Sequence, residues 1–300
     1  MDASRATTVH AAAFASARGV VSDYVALTKP KVQSLLLFTT VCAMFIAGSP
    51  SVGLVLVTVI GGYLSAGGSG AINHWYDRDI DARMERTANR PVPSGRVSPR
   101  AALSFGLTLG VLSVVWLTVL VNPLAAGLSL VGFLGYAVGY TMLLKRSTWQ
   151  NIVWGGAAGA IPPLVGWAAV DGQLTGLAIY LFAIVFFWTP PHFWALSLLM
   201  KDEYAKVGIP MLPVVRGEDE TRKQILLYSV LLYMVSQLPF SAHGFGGLYL
   251  AVSLVLNAVM IGLAVQLRRR ADRRAALRLY LYSLVYLAVL FAAMVADVHL

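Results

Sequence analysis

Charged residues are scarce in this chain of 300 residues: they make up 12% of it, whereas hydrophobic residues make up 58%. Because a soluble domain carries about a quarter charged residues, this composition excludes a soluble enzyme. High hydrophobicity with little charge also excludes a disordered chain. The apolar runs are long and continuous, which excludes a transmembrane β-barrel of short alternating strands. The composition therefore predicts an all-α, polytopic membrane protein.

Cysteine is almost absent as well. The single cysteine, Cys42, lies within an apolar run. One cysteine excludes an intramolecular disulfide, and the chain has no cysteine–histidine spacing typical of a zinc site. The net charge of +9 would suggest a nucleic-acid partner in a soluble protein, but the positions of the basic residues indicate membrane topology instead.

Hydropathy predicts nine transmembrane helices. At about 20 residues each, nine helices take roughly 180 residues, close to the apolar share of the chain. Very short gaps, such as 49–51, join antiparallel neighbours. The predicted spans are 32–48, 52–72, 99–118, 122–142, 150–170, 174–198, 224–241, 245–266 and 276–296.

All 23 lysines and arginines fall in the N-terminal tail and in the connections after the second, fourth, sixth and eighth spans. The alternate connections carry none. Since basic residues stay on the cytoplasmic side, we predict a cytoplasmic N-terminus and an outside C-terminus. Residues 1–28 are predicted to be a cytoplasmic tail, and residues 29–300 a single intramembrane domain.

The connection after the second span is too long and too charged to be a simple turn. Asn73, Asp77 and Asp81 are four residues apart, so a continuing helix would align them over about 12 Å of one face. Such oxygen ligands suit Mg²⁺, which leaves coordination sites to phosphate oxygens and water. Arg86 and Arg90 follow at the same spacing and match phosphate oxygens. The pattern predicts a metal-bridged diphosphate site, although an interfacial segment whose charges pair among themselves explains it too.

Further polar residues lie near other span ends. Lys145 and Arg146 follow the fourth span and offer donors for phosphate, but a topology role explains them equally well. Lys206 adds a positive charge after the sixth span. Asp202 and Glu203, in the same connection, are weaker candidates for metal ligands.

Two histidines lie in or beside spans. His192 is inside the sixth span, where an ionisable residue is a functional candidate; neutral imidazole can ligate a metal or transfer a proton. The alternative is a histidine that bonds a neighbouring helix for packing. His74 lies at the predicted membrane interface, where we expect it to be solvated.

Four stretches of the chain resemble one known family, the UbiA-type intramembrane prenyltransferases, and within it the haem-modifying protoheme IX farnesyltransferase branch. The resemblance runs from about residue 24 to the last helix. The stretches are NHWYDRDIDARMERTANRPVPSGR (73–96), GYTMLLKRSTWQNIVWGGAAGAIPPLVGW (139–167), WTPPHFWALSL (188–198) and GIPMLPVVRG (208–217).

The resemblance implies nine helices around a central cavity capped by cytoplasmic loops. It implies Mg²⁺-assisted transfer of a farnesyl group from farnesyl diphosphate to a vinyl group of haem b, giving haem O, in a bacterial-type inner membrane. The expected partners are these two substrates, the lipid bilayer and a downstream haem-modifying or oxidase-assembly protein.

The resemblance also implies residue roles. The Mg²⁺ and diphosphate motif falls on Asn73, Asp77 and Asp81, the family's arginines on Arg86 and Arg90, its basic pair on Lys145 and Arg146, and its haem-binding histidine on His192. One departure concerns the second acidic motif, whose aspartates are four residues apart in many members. Here Asp202 and Glu203 are adjacent, and Lys206 stands four residues after Asp202, which puts a second Mg²⁺ in doubt.

Three other functions are compatible with the sequence. One is a UbiA-type prenyltransferase with another aromatic or tetrapyrrole acceptor, and one is a membrane scaffold for respiratory-complex assembly, against which the acid-rich first connection argues. The third is a membrane transporter of a haem-like or anionic solute, for which the substrate site is expected near the bilayer midplane. The acids and arginines here cluster at one predicted membrane surface instead.

Overall fold

A computed structural model of the chain describes residues 19–300. Over this range the structure is helical, and nine helices are long and apolar enough to cross a membrane. The predicted fold class and number of spans are therefore confirmed. Of the predicted N-terminal tail, residues 1–18 lie outside the described range, and residues 19–27 form a helix, α1.

The nine long helices alternate in direction and are joined mostly by short connections. They are α2 (Pro30–Ala47), α3 (Val52–Tyr76), α5 (Pro99–Leu120), α6 (Pro123–Leu134) continued by a π-helix (Gly135–Leu144), α7 (Asn151–Asp171), α8 (Gly176–Leu199), α11 (Gly217–Ser241), α12 (Gly247–Arg270) and α13 (Arg273–His299). Short helices lie in two of the connections: α4 (Arg78–Asp81), α9 (Lys201–Lys206) and α10 (Leu212–Val215).

Several helices extend beyond the predicted spans because their ends are polar. Helix α11 begins at Gly217, ahead of the predicted start at residue 224, and its first turn carries three acidic residues. Helix α12 continues to Arg270 through a basic last turn. Acidic residues favour a helix N-terminus and basic residues a C-terminus, so these turns are helical although a hydropathy window excludes them.

The basic connections come together at one end of the helix bundle, which we call the charged end. At this end, side chains from one connection or helix end contact groups of another. These contacts join Lys29 to Asn73, Lys145 to Asp77, Arg216 to Trp149, and Arg273 to the carbonyl of Leu199.

Helices α3 and α5 pack closely through facing glycines. A Cβ atom on Gly68 would lie 2.7 Å from the carbonyl oxygen of Gly106, and one on Gly106 would lie 2.8 Å from that of Gly68. Small residues permit such close packing of helices in membranes. This contact fixes α3 in the turns just before its polar end, where the candidate site begins.

Candidate active site

The acidic segment forms a nearly continuous helix. Helix α3 ends at Tyr76 and α4 begins at Arg78, yet the Asp77 N–H bonds the Asn73 carbonyl at 2.9 Å and the Asp81 N–H bonds the Asp77 carbonyl at 2.8 Å. Helical spacing is therefore kept across the break. The residues Asn73, Asp77 and Asp81 are all buried.

Asp77 lies at the centre of a polar cluster, and its side chain has no exposed surface. Its Oδ2 accepts hydrogen bonds from Lys145 Nζ at 2.5 Å and Asn73 Nδ2 at 2.8 Å. Arg146 Nη2 lies 3.4 Å from Oδ1. A buried carboxylate without partners would be strongly destabilising, so these basic groups make a charged Asp77 compatible with burial.

Lys29 joins the same cluster, although the sequence indicated only a topology role for it. Its Nζ donates to Asn73 Oδ1 at 2.5 Å and to the Tyr136 hydroxyl at 3.3 Å. Burial, together with the positive charge of Arg90, lowers the pKa of Lys29 to about 7. Its backbone is left-handed, with φ 54° and ψ 54°, directly before Pro30. Strain of this kind costs about 1–3 kcal/mol and is often found at functional sites.

The two arginines of the first connection differ in their partners. Arg90 Nη1 lies 2.7 Å from Asp81 Oδ2. Arg86 is exposed, and within residues 19–300 no carboxylate lies within 4.0 Å of it. Charge pairing inside the segment therefore explains Arg90 but leaves Arg86 available to an external anion.

Asp79 and Arg146 form a second pair at the surface of the cluster. Arg146 donates two hydrogen bonds, of 2.7 and 2.8 Å, to the half-exposed Asp79 carboxylate. These bonds lower the pKa of Asp79 to about 2. The guanidinium group also lies 4.8 Å from the ring centre of Tyr76. Asp79 thereby holds Arg146 beside the buried Asp77.

The π-helix places two further polar groups at the cluster, those of Tyr136 and Thr141. It ends where the Lys145 N–H bonds the Tyr140 carbonyl, five residues earlier, at 2.8 Å. Thr141 Oγ1 accepts a hydrogen bond from Asn73 Nδ2 at 3.1 Å, and Tyr136 contacts Lys29. The rings of Tyr136 and Tyr140 stack with centres 5.6 Å apart. π-Helices are rare and frequently occur at functional sites.

The second acidic connection stays apart from this cluster. Asp202 and Lys206 are exposed, and Glu203 has a buried oxygen without a hydrogen-bond partner in the described chain. Residues 19–300 show no hydrogen bond or ion pair from these three to the first acidic segment. In the same connection, burial raises the pKa of the Tyr204 phenol, and the positive charge of Arg86 opposes this rise.

The available ligands suit a metal shared with a substrate. No group of three or more Asp, Glu, His or Cys side chains within residues 19–300 is arranged to bind a metal ion. Asp77 and Asp81 supply two carboxylates, and Asn73 an amide. Mg²⁺ usually takes one or two carboxylates and completes its octahedron with phosphate oxygens and water. These residues therefore fit Mg²⁺ bound together with a diphosphate.

His192 lies on α8, where this helix packs against α13. Its Nδ1 lies 2.7 Å from Ser283 Oγ. Its ring stacks between Trp188 and Tyr280, with centres at 4.4 and 4.9 Å. Only 6% of its surface is exposed, and in residues 19–300 no hydrogen bond or ring contact connects it to the Asp77 cluster.

The expectation of a solvated His74 is wrong. The residue is 3% exposed, and neither ring nitrogen has a hydrogen-bond partner in residues 19–300. The reason is that α3 remains inside the bundle up to Tyr76, beyond the predicted span end at residue 72.

Comparison with known proteins adds close sequence relatives. A protoheme IX farnesyltransferase of Chloroflexus aurantiacus is 57% identical over 282 residues, which are 93% of this chain and 48% of that protein. One of Symbiobacterium thermophilum is 55% identical over 284 residues, covering 93% of this chain and 95% of the relative. The chain thus spans about half the length of the Chloroflexus protein and of several other curated relatives, but nearly all of the Symbiobacterium protein.

A solved structure and a family match agree with the fold. The structure of a UbiA homologue from Archaeoglobus fulgidus bound to DMAPP and Mg²⁺ superposes with a TM-score of 0.68, at 16% identity, over 91% of this chain and 99% of that one. At this identity the likeness shows the fold. Residues 36–293 match the description of the UbiA prenyltransferase family. This chain belongs to the UbiA prenyltransferase family.

Proposed function

We propose that this chain transfers the farnesyl group of farnesyl diphosphate to a vinyl group of haem b, giving haem O and diphosphate. The observation that carries this proposal is the fully buried carboxylate of Asp77, held by Lys145 and Arg146 at one end of an apolar bundle. It supports a site for a charged headgroup on a lipid-like tail. The choice of haem as acceptor is supported by relatives named protoheme IX farnesyltransferase at 55–57% identity.

In this proposal the Asp77 cluster binds the diphosphate. Asp77 and Asp81, with the amide of Asn73, would hold Mg²⁺, which when bound neutralises charge on the departing diphosphate. The basic side chains of the cluster would donate hydrogen bonds to the phosphate oxygens. These side chains are Lys29, Arg86, Arg90, Lys145 and Arg146. The weaker candidates are Lys206, Asp202 and Glu203, because in the described part of the chain they form no hydrogen bond or ion pair with the cluster.

The reaction breaks the bond between C1 of the farnesyl group and oxygen, and both electrons leave with the diphosphate. The terminal vinyl carbon of haem then bonds to C1, which leaves a cation on the inner vinyl carbon. Water adds there and loses a proton, giving the hydroxyethylfarnesyl group. The stacked rings of Tyr136 and Tyr140 are suited to stabilise the farnesyl cation by cation–π contact.

We propose His192 as the ligand of the haem iron. In haem, the iron lies at the centre of the ring and the vinyl groups lie at its edge, so different residues can contact the two. His192 can therefore bind the iron although it lies apart from the Asp77 cluster.

The proposal includes an orientation and partners. Since basic residues are retained on the cytoplasmic side, the charged end would face the cytoplasm of a bacterial-type cell and His299 the outside. Farnesyl diphosphate would place its tail in the bilayer and its headgroup at the charged end. A downstream haem-modifying or oxidase-assembly protein would take the product.

A product assay tests the function. Protein purified in mild detergent would receive haem b, farnesyl diphosphate and Mg²⁺, with a chelator control, and products would be separated and weighed by mass spectrometry. We expect a chelator-sensitive farnesylated haem. Prenylation of a 4-hydroxybenzoate-type acceptor instead, or solute transport in vesicles without turnover, would contradict the proposal.

A further inference from the structure

We infer that Ser283 is a positioning residue whose hydroxyl fixes the tautomer of His192, so that Nε2 is the nitrogen that binds the haem iron. This inference rests on the proposed function, which makes haem b the acceptor. It concerns a residue on α13 that no motif in the sequence singled out.

The hydrogen bonds of Ser283 define the tautomer. Its hydroxyl lies 2.6 Å from the carbonyl oxygen of Tyr280, one turn earlier on α13. A carbonyl oxygen only accepts, so the single hydroxyl proton of Ser283 points there. The hydroxyl oxygen can then only accept from His192 Nδ1, which lies 2.7 Å away. His192 therefore carries its proton on Nδ1, and Nε2 keeps a free lone pair.

The rings around His192 restrict its rotation. Trp188 covers one face and Tyr280 the other, nearly parallel at 18° and 27°, while Phe193 meets the ring edge-on at 5.1 Å. Such a stack fixes the plane of the imidazole, and the Nδ1 hydrogen bond fixes its direction within the plane. Histidines that ligate metals are commonly oriented by a hydrogen bond from the second nitrogen in this way.

The alternative, that His192 only ties α8 to α13, fits the contacts less well. Trp188 Nε1 already donates to the backbone carbonyl of Ser283 at 2.7 Å, which links the helices at this point. Nε2 of His192 has no hydrogen-bond partner within residues 19–300, and it is not among the fully buried polar atoms that lack one. The 6% of the residue's surface that is exposed therefore includes Nε2, the atom that a ligand has to reach.

The Trp188 link also makes the test practicable, because it uses the backbone of Ser283 and survives a side-chain change. Ser283→Ala removes the hydroxyl, and Ser283→Thr restores it. Ser229→Ala is a matched control: Ser229 is also fully buried, and within the described residues its hydroxyl bonds only the Ile225 carbonyl of its own helix. His192→Ala serves as the reference that lacks the proposed histidine ligand of the haem iron.

The full chain of each variant, purified in detergent, would be titrated with haem b and followed by absorbance. Resonance Raman spectra of the ferrous complex would report the iron–histidine stretch. For Ser283→Ala we expect haem affinity to fall about 10-fold or more and the stretch to shift or disappear. Ser283→Thr and Ser229→Ala should resemble the unmodified protein, and all variants should bind farnesyl diphosphate alike.

An unchanged affinity and stretch in Ser283→Ala, in a protein that loses both with His192→Ala, would overturn the role of Ser283. Equal loss of haem and farnesyl diphosphate binding in Ser283→Ala would also overturn it, since that indicates a general structural role. The product assay tests the proposed function separately. A haem spectrum that depends on His192, without any farnesylated haem, would contradict the proposed function but leave the tautomer assignment intact.

Discussion

Asp77 shows at the residue scale how this chain keeps charge inside an apolar bundle. Its carboxylate is surrounded by the donors of Lys145, Arg146 and Asn73, so the basic groups that a diphosphate needs are already in place. Electrostatic groups arranged before the reaction stabilise developing charge without reorganisation. Under the proposed function, catalysis at this end would therefore depend mainly on electrostatics.

The first prediction concerns Asp77→Asn, which keeps the size of the side chain and removes its charge. Loss of one preorganised electrostatic group typically lowers turnover by about 10²–10³-fold, and we expect a loss of that order in the product assay. Asp219→Asn is the control, because the Asp219 side chain is 86% exposed and its ion pair, with Arg222 at 3.8 Å, lies outside the proposed site. It should keep most of the activity. Full activity in Asp77→Asn would remove the metal-site assignment.

The second prediction concerns Lys29→Met. Hydrogen bonds to charged groups contribute about 1.5–3 kcal/mol, so we expect the KM for farnesyl diphosphate to rise at least about tenfold. Lys31→Met is the control, since Lys31 is exposed and has no ion pair in residues 19–300. Initial rates at varied farnesyl diphosphate measure both. If the two variants behave alike, Lys29 has only the topology role that its position in the sequence suggested.

At the scale of helices, the sequence predicts the features that depend on hydropathy, such as the number of spans. It does not predict the features that depend on which hydrogen bonds form, such as the π-helix. Nine spans and the helical spacing of Asp77 and Asp81 follow from side-chain type and periodicity. The π-helix does not, because a π-helical and an α-helical run have the same composition and differ in which carbonyl each N–H meets. For this reason Tyr136 and Thr141 could not be placed at the site beforehand.

For the same reason, the contacts of Lys29 and Ser283 could not be predicted from the sequence. Lys29 comes before Pro30 at the start of a span, which is also where a topology lysine is expected. Its contact with Asn73 depends on how α2 and α3 pack, and no local pattern records that. Ser283 is one small polar residue in a long apolar helix, and only the neighbouring α8 shows what its hydroxyl bonds.

The third prediction tests the packing of α2 on α7. A Cβ atom on Gly166 would clash with the Thr40 carbonyl oxygen, whereas one on Gly159, in the same helix, meets nothing within 4 Å. Gly166→Ala should lower stability by about 1–3 kcal/mol through overpacking. Gly159→Ala should leave it unchanged or slightly higher, since alanine favours helix. Thermal unfolding in detergent measures both, and equal Tm values would contradict this close contact.

At the scale of the whole molecule, charge is concentrated at one end of the helix bundle. The connections at the charged end carry the acids, the basic groups and the polar end of the π-helix, and the opposite end carries few charges. A lipid-tailed diphosphate is divided in the same way, into an apolar chain and a charged head. The molecule therefore matches the polarity of its proposed donor substrate along the membrane normal.

The fourth prediction concerns orientation. Ser49 and Ser94 are both exposed and lie in connections at opposite ends, while Cys42 is buried. An impermeant maleimide should label Ser49→Cys in intact spheroplasts, and Ser94→Cys only after the membrane is opened. The reverse pattern would place the charged end outside and contradict the proposed topology.

The fifth and most direct measurement of the central claim is the mass of the product formed in H₂¹⁸O from haem b and farnesyl diphosphate. We expect haem enlarged by one farnesyl group and one hydroxyl group, with the hydroxyl oxygen taken from labelled water. Asp77→Asn should form little of it. Farnesylated haem without ¹⁸O would contradict the water-quenched cation, and recovery of unmodified haem from folded, haem-binding protein would contradict the function itself.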